Sequence, residues 1–203
     1  GPSMLKEMLS NLGAFKKQCK LLAHCHSSLY QPIDFELPTV KEKLKRDIGC
    51  VKELTDIEKE KLYDYIDTLP DGSDLCHFDF HPDNIILRDD KAVVIDWMTA
   101  CVGDCLSDIA RTCILLKYSE VPTKSFILRN FVRFMQKKLQ HNYLNEYIKI
   151  TGASIGDILQ WELPIAAARL TNGDLRRKRN VYYNLFISIF RIVLFSIEQI
   201  IIA

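Results

Sequence analysis

The 203-residue sequence predicts a mainly α fold with a small β-hairpin region, an α+β domain. Three observations lead there. Apolar residues recur every three or four positions over most of the chain, as helices with one buried face require. Two short apolar runs, residues 84–87 (Asn-Ile-Ile-Leu) and 92–95 (Ala-Val-Val-Ile), flank the turn-forming Arg88-Asp89-Asp90-Lys91, the pattern of a hairpin with a four-residue loop. A hydrophobic content of 48% is enough for one well-buried core. That single domain covers residues 4–203, because Gly1-Pro2-Ser3 before Met4 reads as a cloning remnant.

Leu5, Met8, Leu12, Phe15, Cys19, Leu22 and Leu29 predict one long amphipathic helix at the start. His24-Cys25-His26 near its end reads as packing or capping, since neighbouring helical residues diverge by about 100° and cannot share one ion. Residues 31–39, with two prolines, form a loop, and residues 40–53 a charge-rich helix with a solvated face. Thr55-Asp56-Ile57-Glu58 is a capping box that starts a helix running towards Leu69, and Pro70-Asp71-Gly72 stops it.

After Asp96 the pattern is helical throughout. One helix starts at Ser107 or Asp108 and ends at Leu116; another runs from Thr123 through Leu139; a third covers residues 143–150; a fourth starts at Ser154 or Ile155 and carries Trp161 and Glu162 to Leu170. The last begins near Asn180. Residues 182–203 have the length of a membrane span, but Arg191 and Glu198 are costly in mid-bilayer. With Asn184 and Ser188 they form one polar stripe, which predicts a terminal core helix with one wet edge.

The balance of 27 basic and 26 acidic residues leaves a net charge of +1. It provides no global field for nucleic acid or a polyanionic surface, so any charged partner must be met locally. No nucleic acid and no membrane are expected as partners. Seven scattered cysteines, odd in number and without a Cys-x-x-Cys pair, predict reduced thiols in a cytoplasmic protein.

The chemistry is concentrated in residues 75–98, LCHFDFHPDNIILRDDKAVVIDWM. Neighbouring strands lie about 5 Å apart, so Asn84 at the start of one hairpin strand and Asp96 at the end of the other sit side by side and can hold one divalent cation. Asp79 lies in a loop braked by Pro82, with its carboxylate able to reach the same space. His77-x-Asp79, Asn84 five residues on, and Asp96 beyond a hairpin have the spacing of a kinase catalytic loop and its metal-binding aspartate.

Residues 75–87 also resemble the "cHgDlhpgNil" signature of the aminoglycoside phosphotransferase and choline kinase family. Val94-Ile95-Asp96-Trp97 is similar to that family's "iDwe", residues 103–110 to its "G.p..Dla", and residues 22–27 to its "lA.lHs". The sequence departs at Phe78 and Asp83, both usually Gly in the family; they place bulk beside the base and a negative charge near the phosphate path. The resemblance implies the C-terminal lobe of a protein kinase-like fold, with the N-terminal β lobe absent. It implies ATP- or GTP-dependent phosphoryl transfer to a hydroxyl of an aminoglycoside, choline-like or sugar-like substrate. Asp79 would be the base, Asn84 and Asp96 would hold Mg²⁺ and the nucleotide, His77 would brace the loop, Asp108 would hydrogen-bond it from behind, and His81 would support it. Asp157, Trp161 and Glu162 lie where the family's substrate wall comes from.

Packing for His77, a helix cap for Asp108 and a core position for Trp161 are the plain alternatives. No glycine-rich phosphate loop occurs in the sequence, so either the chain is cut from a longer two-lobed protein, or it is a natural single lobe, or another chain supplies the rest. The exposed cleft invites a second copy or a separate N-terminal lobe. Two other functions use the same stretch. One is a non-catalytic kinase-like binding module; the other is a metal-dependent hydrolase whose His77, Asp79 and His81 share a strand face.

Overall fold

The computed structural model describes residues 1–33, 36–88, 91–119 and 123–172. Several of its helices begin where the sequence supplies a side-chain acceptor for the unpaired N–H groups of a first turn. Ser3 opens α1 (Met4–Ser10), and Thr39 and Thr55 open α3 (Val40–Gly49) and α4 (Asp56–Thr68), following α2 (Phe15–Ser27). Both threonines form complete capping boxes, with Glu42 and Glu58 returning the bond. Only the second of these boxes was expected.

The expected single helix over residues 5–29 is two. α1 ends at Asn11, whose side chain accepts the Ala14 N–H and starts a separate 3₁₀ turn, Leu12–Ala14. The break rotates the apolar register, leaving Leu12 exposed while Phe15, Cys19 and Leu22 remain in the core. Gly1-Pro2-Ser3 is part of the fold. Ser3 bridges Ile86, and the Pro2 carbonyl accepts the Leu87 N–H, covering the edge of the hairpin.

At Gly72, a Cβ would run into Gly103 and the Asp104 N–H, so the turn after α4 lies against later backbone. It delivers β1 (Asp74–Cys76) beside β4 (Cys101–Gly103), an antiparallel pair with Leu75 opposite Val102. β4 corrects the expectation that everything after Asp96 is helical. The hairpin of β2 (Ile85–Arg88) and β3 (Lys91–Val94) pairs Ile85 with Val94 and Arg88 with Lys91. Arg88 and Lys91 therefore belong to the ladder, and the loop is shorter than the four residues expected.

α5 (Cys105–Tyr118) is the central element. Every residue from Ser107 to Leu116 is buried, and each fully buried Ile or Leu among them stabilises by about 1.5–3 kcal/mol. α6 (Phe126–Thr151) packs on α5 and α2. It is one 26-residue helix rather than two, since no Gly or Pro interrupts it before Gly152 closes it at φ 73°.

The helix expected from residue 154 to 170 is divided into α7 (Ile155–Leu159) and α8 (Glu162–Ala168). Pro164 has no N–H for the Gln160 carbonyl, and Tyr65 Oη donates to it instead at 2.9 Å. Among the described residues no helix is long and apolar enough to cross a membrane. The helix expected from Asn180 to the end lies outside the described residues.

Candidate active site

Beyond β1 the chain leaves the sheet at His77, and its backbone is fixed by side chains from α5. Asp108 Oδ2 accepts the His77 N–H at 2.6 Å and its Oδ1 the Phe78 N–H at 3.0 Å. Arg111 Nε donates to the Phe78 carbonyl, and Thr112 Oγ1 to the Phe80 carbonyl at 3.1 Å. Asp108 is inside the helix; its N-cap is Asp104.

These anchors hold Phe78 at φ 62°, a left-handed conformation that costs an L-residue roughly 1–2 kcal/mol and explains why glycine suits the position. The Phe78 ring does not fill the cleft. It is fully buried, with the Arg111 guanidinium 4.6 Å from its centroid, so burial and a cation–π contact offset the backbone strain.

His77 is also fully buried. Its Nδ1 accepts the Asp79 N–H at 3.2 Å, so that nitrogen carries the lone pair, and Nε2 donates to the Ile95 carbonyl at 2.9 Å. Thr99 Oγ1 donates to the His77 carbonyl at 2.8 Å. His77 thus ties the loop to the end of the hairpin. With both nitrogens engaged it is not free to ligate, and no trio of His, Cys, Asp or Glu among the described residues is gathered for a metal. The hydrolase arrangement of His77, Asp79 and His81 is therefore not formed.

His26, from α2, joins this network. It is fully buried and stacked on Phe80 at 3.8 Å, with Nδ1 2.5 Å from Tyr143 Oη and Nε2 3.2 Å from Asp108 Oδ2. His24 points elsewhere, towards Glu146. Burial lowers the pKa of His26, against the opposing pull of Asp108. Burial works to raise that of Asp108, but His26 and the His77 N–H outweigh it, and the carboxyl stays below its ordinary value.

Both shifts mean that the unfolded chain binds more protons in acid. The contribution of His26 is complete above its ordinary value of 6.5 and is lost as pH falls below it. The thermal midpoint should therefore drop between pH 7 and pH 5, and His26→Gln should remove that limb, leaving the carboxylate titrations at lower pH. Equal pH profiles for the two proteins would exclude His26 as its source.

Asp79 presents a half-buried carboxylate beyond this anchored backbone. His81 Nε2 lies 3.6 Å from its Oδ2, and Asn84 Nδ2 donates to the Asp79 carbonyl at 3.0 Å, with a weaker 3.5 Å contact to Oδ2. The His81 contact lowers its pKa against the effect of burial, with help from Arg111 and Arg169. Asn84 closes a 3₁₀ turn, Pro82–Asn84, that His81 caps, and its carbonyl accepts the Ile95 N–H. Asp96 follows at φ 64°, exposed at the open end of the hairpin. The Asn84 amide nitrogen is committed to Asp79, leaving Asn84 Oδ1 and the Asp96 carboxylate as oxygen donors. Oxygen donors of this kind are the type that a hard cation such as Mg²⁺ would take.

Trp161 is fully buried, and its Nε1 donates to Asp104 Oδ2 at 2.9 Å. Glu162 is partly buried on α8, with its pKa raised by burial, and Asp157 is exposed on α7. Asp83 is exposed and accepts from Ser3 Oγ at 2.8 Å. Sequence reasoning missed Arg111, Thr99, Thr112 and Tyr143. For Arg111 alone there was a signal, a charged residue inside the apolar run of α5.

A model of the phosphotransferase enzyme family, APH, matches residues 14–133, a span that contains the whole of this loop, hairpin and central helix. No curated protein matches the chain.

Proposed function

Because the chain belongs to the phosphotransferase enzyme family, we propose that it is the catalytic-loop lobe of a kinase-like O-phosphotransferase using ATP or GTP with Mg²⁺. The observation that carries this reading is the Asp79 carboxylate, turned outward from a backbone clamped by Asp108 and His77, between His81 and Asn84. Phosphoryl transfer needs positioning and charge neutralisation more than covalent chemistry, and a clamped loop supplies positioning. Asp79 orients a hydroxyl of a small acceptor and takes its proton as the new O–P bond forms and the bond to the nucleoside diphosphate breaks. Its lowered pKa keeps it ionised, which makes it a weak base and a constant acceptor.

Asn84 and Asp96 would hold Mg²⁺, whose charge offsets that of the nucleotide phosphates. Asp108, His77 and His26 act on the reaction only through the position of Asp79. The test is calorimetric titration of the chain with ATP and then GTP in Mg²⁺, beside Asp96→Ala. Binding should be lost in the variant while its thermal midpoint stays within a few degrees, because Asp96 is exposed. An equal Mg-nucleotide response in both proteins would refute the metal role.

A further inference from the structure

The small net charge of +1 conceals an uneven surface. α2 carries three cations and no acid, and α6 five cations and one acid, in a chain whose net charge is +1, so the remainder is acidic. The two helices pack on each other, and their lysines share a cleft of about 260 Å³ lined by Lys16 and Lys20 from α2 and Asn142, Asn145, Glu146 and Lys149 from α6. Glu146, the only acid there, lies 3.5 Å from Lys20 Nζ and 3.6 Å from His24 Nε2. Asn145 is bonded to His141 at 3.0 Å, which leaves Lys16 and Lys149 to face an anion.

The same stripe of α6 continues towards its N-terminus with different chemistry. Reading back from Lys149 at helical spacing gives Asn145, Asn142 and Lys138, then Phe134, Phe131 and Ile127. Those last three are 60%, 51% and 81% exposed, on a helix that spans about 39 Å. Bare Phe and Ile in line with a lysine-lined cleft make a surface that is apolar at one end and cationic at the other.

We propose that this α2/α6 face docks the protein on an anionic lipid surface. Lipid phosphates would meet the cleft lysines, and Ile127, Phe131 and Phe134 would enter the boundary between headgroup and acyl chain. A bilayer interface supplies both environments side by side, anionic headgroups for the lysines and the acyl boundary for the three apolar side chains. The association is peripheral, consistent with the lack of a spanning helix among the described residues.

The test is sedimentation of the chain with vesicles of phosphatidylcholine alone and of phosphatidylcholine with roughly one-third phosphatidylserine. Binding should be at least about tenfold tighter to the anionic vesicles and should weaken with added salt. Each lysine at such a surface contributes about fivefold, so Lys16→Glu with Lys149→Glu should reduce binding more than about tenfold. Phe131→Ser should weaken it with the thermal midpoint retained. Equal binding to both vesicles, no binding to either, or undiminished binding by the lysine variant would overturn the proposal. So would binding to polyglutamate without binding to vesicles, which would give this face to an acidic protein.

Discussion

Replacing Asp108 by alanine should lower the thermal midpoint by roughly 10 °C, a large stability effect for a single polar side chain. The substitution leaves the His77 and Phe78 N–H groups without their acceptor inside the core, at about 1–3 kcal/mol each, and deprives His26 of its partner. It also frees Phe78 to leave its left-handed conformation, so the loop loses its shape as well as its bonds. The two orphaned N–H groups together put the loss at about 2–6 kcal/mol, and a chain of this size loses about 2–4 °C per kcal/mol. Thr55→Ala, which removes a helix cap, is the comparison and should cost about 1 kcal/mol. Equal midpoints for the two variants would show that Asp108 does not organise the loop.

What the sequence discloses of this arrangement follows the range of each interaction. Thr55 and Glu58 are three residues apart, and their capping box is legible as a word; Thr39 and Glu42 form the same word and were passed over. The break at Asn11 and the division before Pro164 also carry local signals, a capping Asn beside Gly13 and a residue without an N–H. That His77, Asp79 and Asn84 lie in one loop, with Asp96 just past the end of the hairpin, was legible because short-range geometry sets it.

His26 could not be read as more than a packed histidine. Its partners Asp108 and Tyr143 are distant in sequence, and no period or motif encodes a contact made by the crossing of α2, α5 and α6. The inward turn of Phe78 was hidden for the same reason. Its bulk was legible, but its direction is set by Asp108 and Arg111 from another element. Trp161 shows the converse: a Trp next to a Glu suggested a wall, and burial against Asp104 made it core.

Asp79→Asn should leave Mg-nucleotide binding unchanged and reduce phosphoryl transfer by about 10²–10⁴-fold, read as release of nucleoside diphosphate in the presence of a hydroxylated acceptor or of water. The amide keeps the size of the carboxylate and can still accept from His81, while the Asn84 bond is made to the Asp79 backbone carbonyl and is untouched. Only the negative charge and the proton-accepting oxygen are lost. The midpoint should fall far less than in Asp108→Ala, because Asp79 is partly exposed and its main-chain bonds survive. With its pKa held below the ordinary value of 3.8, Asp79 stays ionised throughout pH 5–8, so it contributes no acidic limb to the rate in that range. Turnover undiminished by Asp79→Asn would remove it from the base role. Turnover lost together with nucleotide binding would shift Asp79 from acting on the acceptor to acting on the metal, separating it from the part assigned to Asn84 and Asp96.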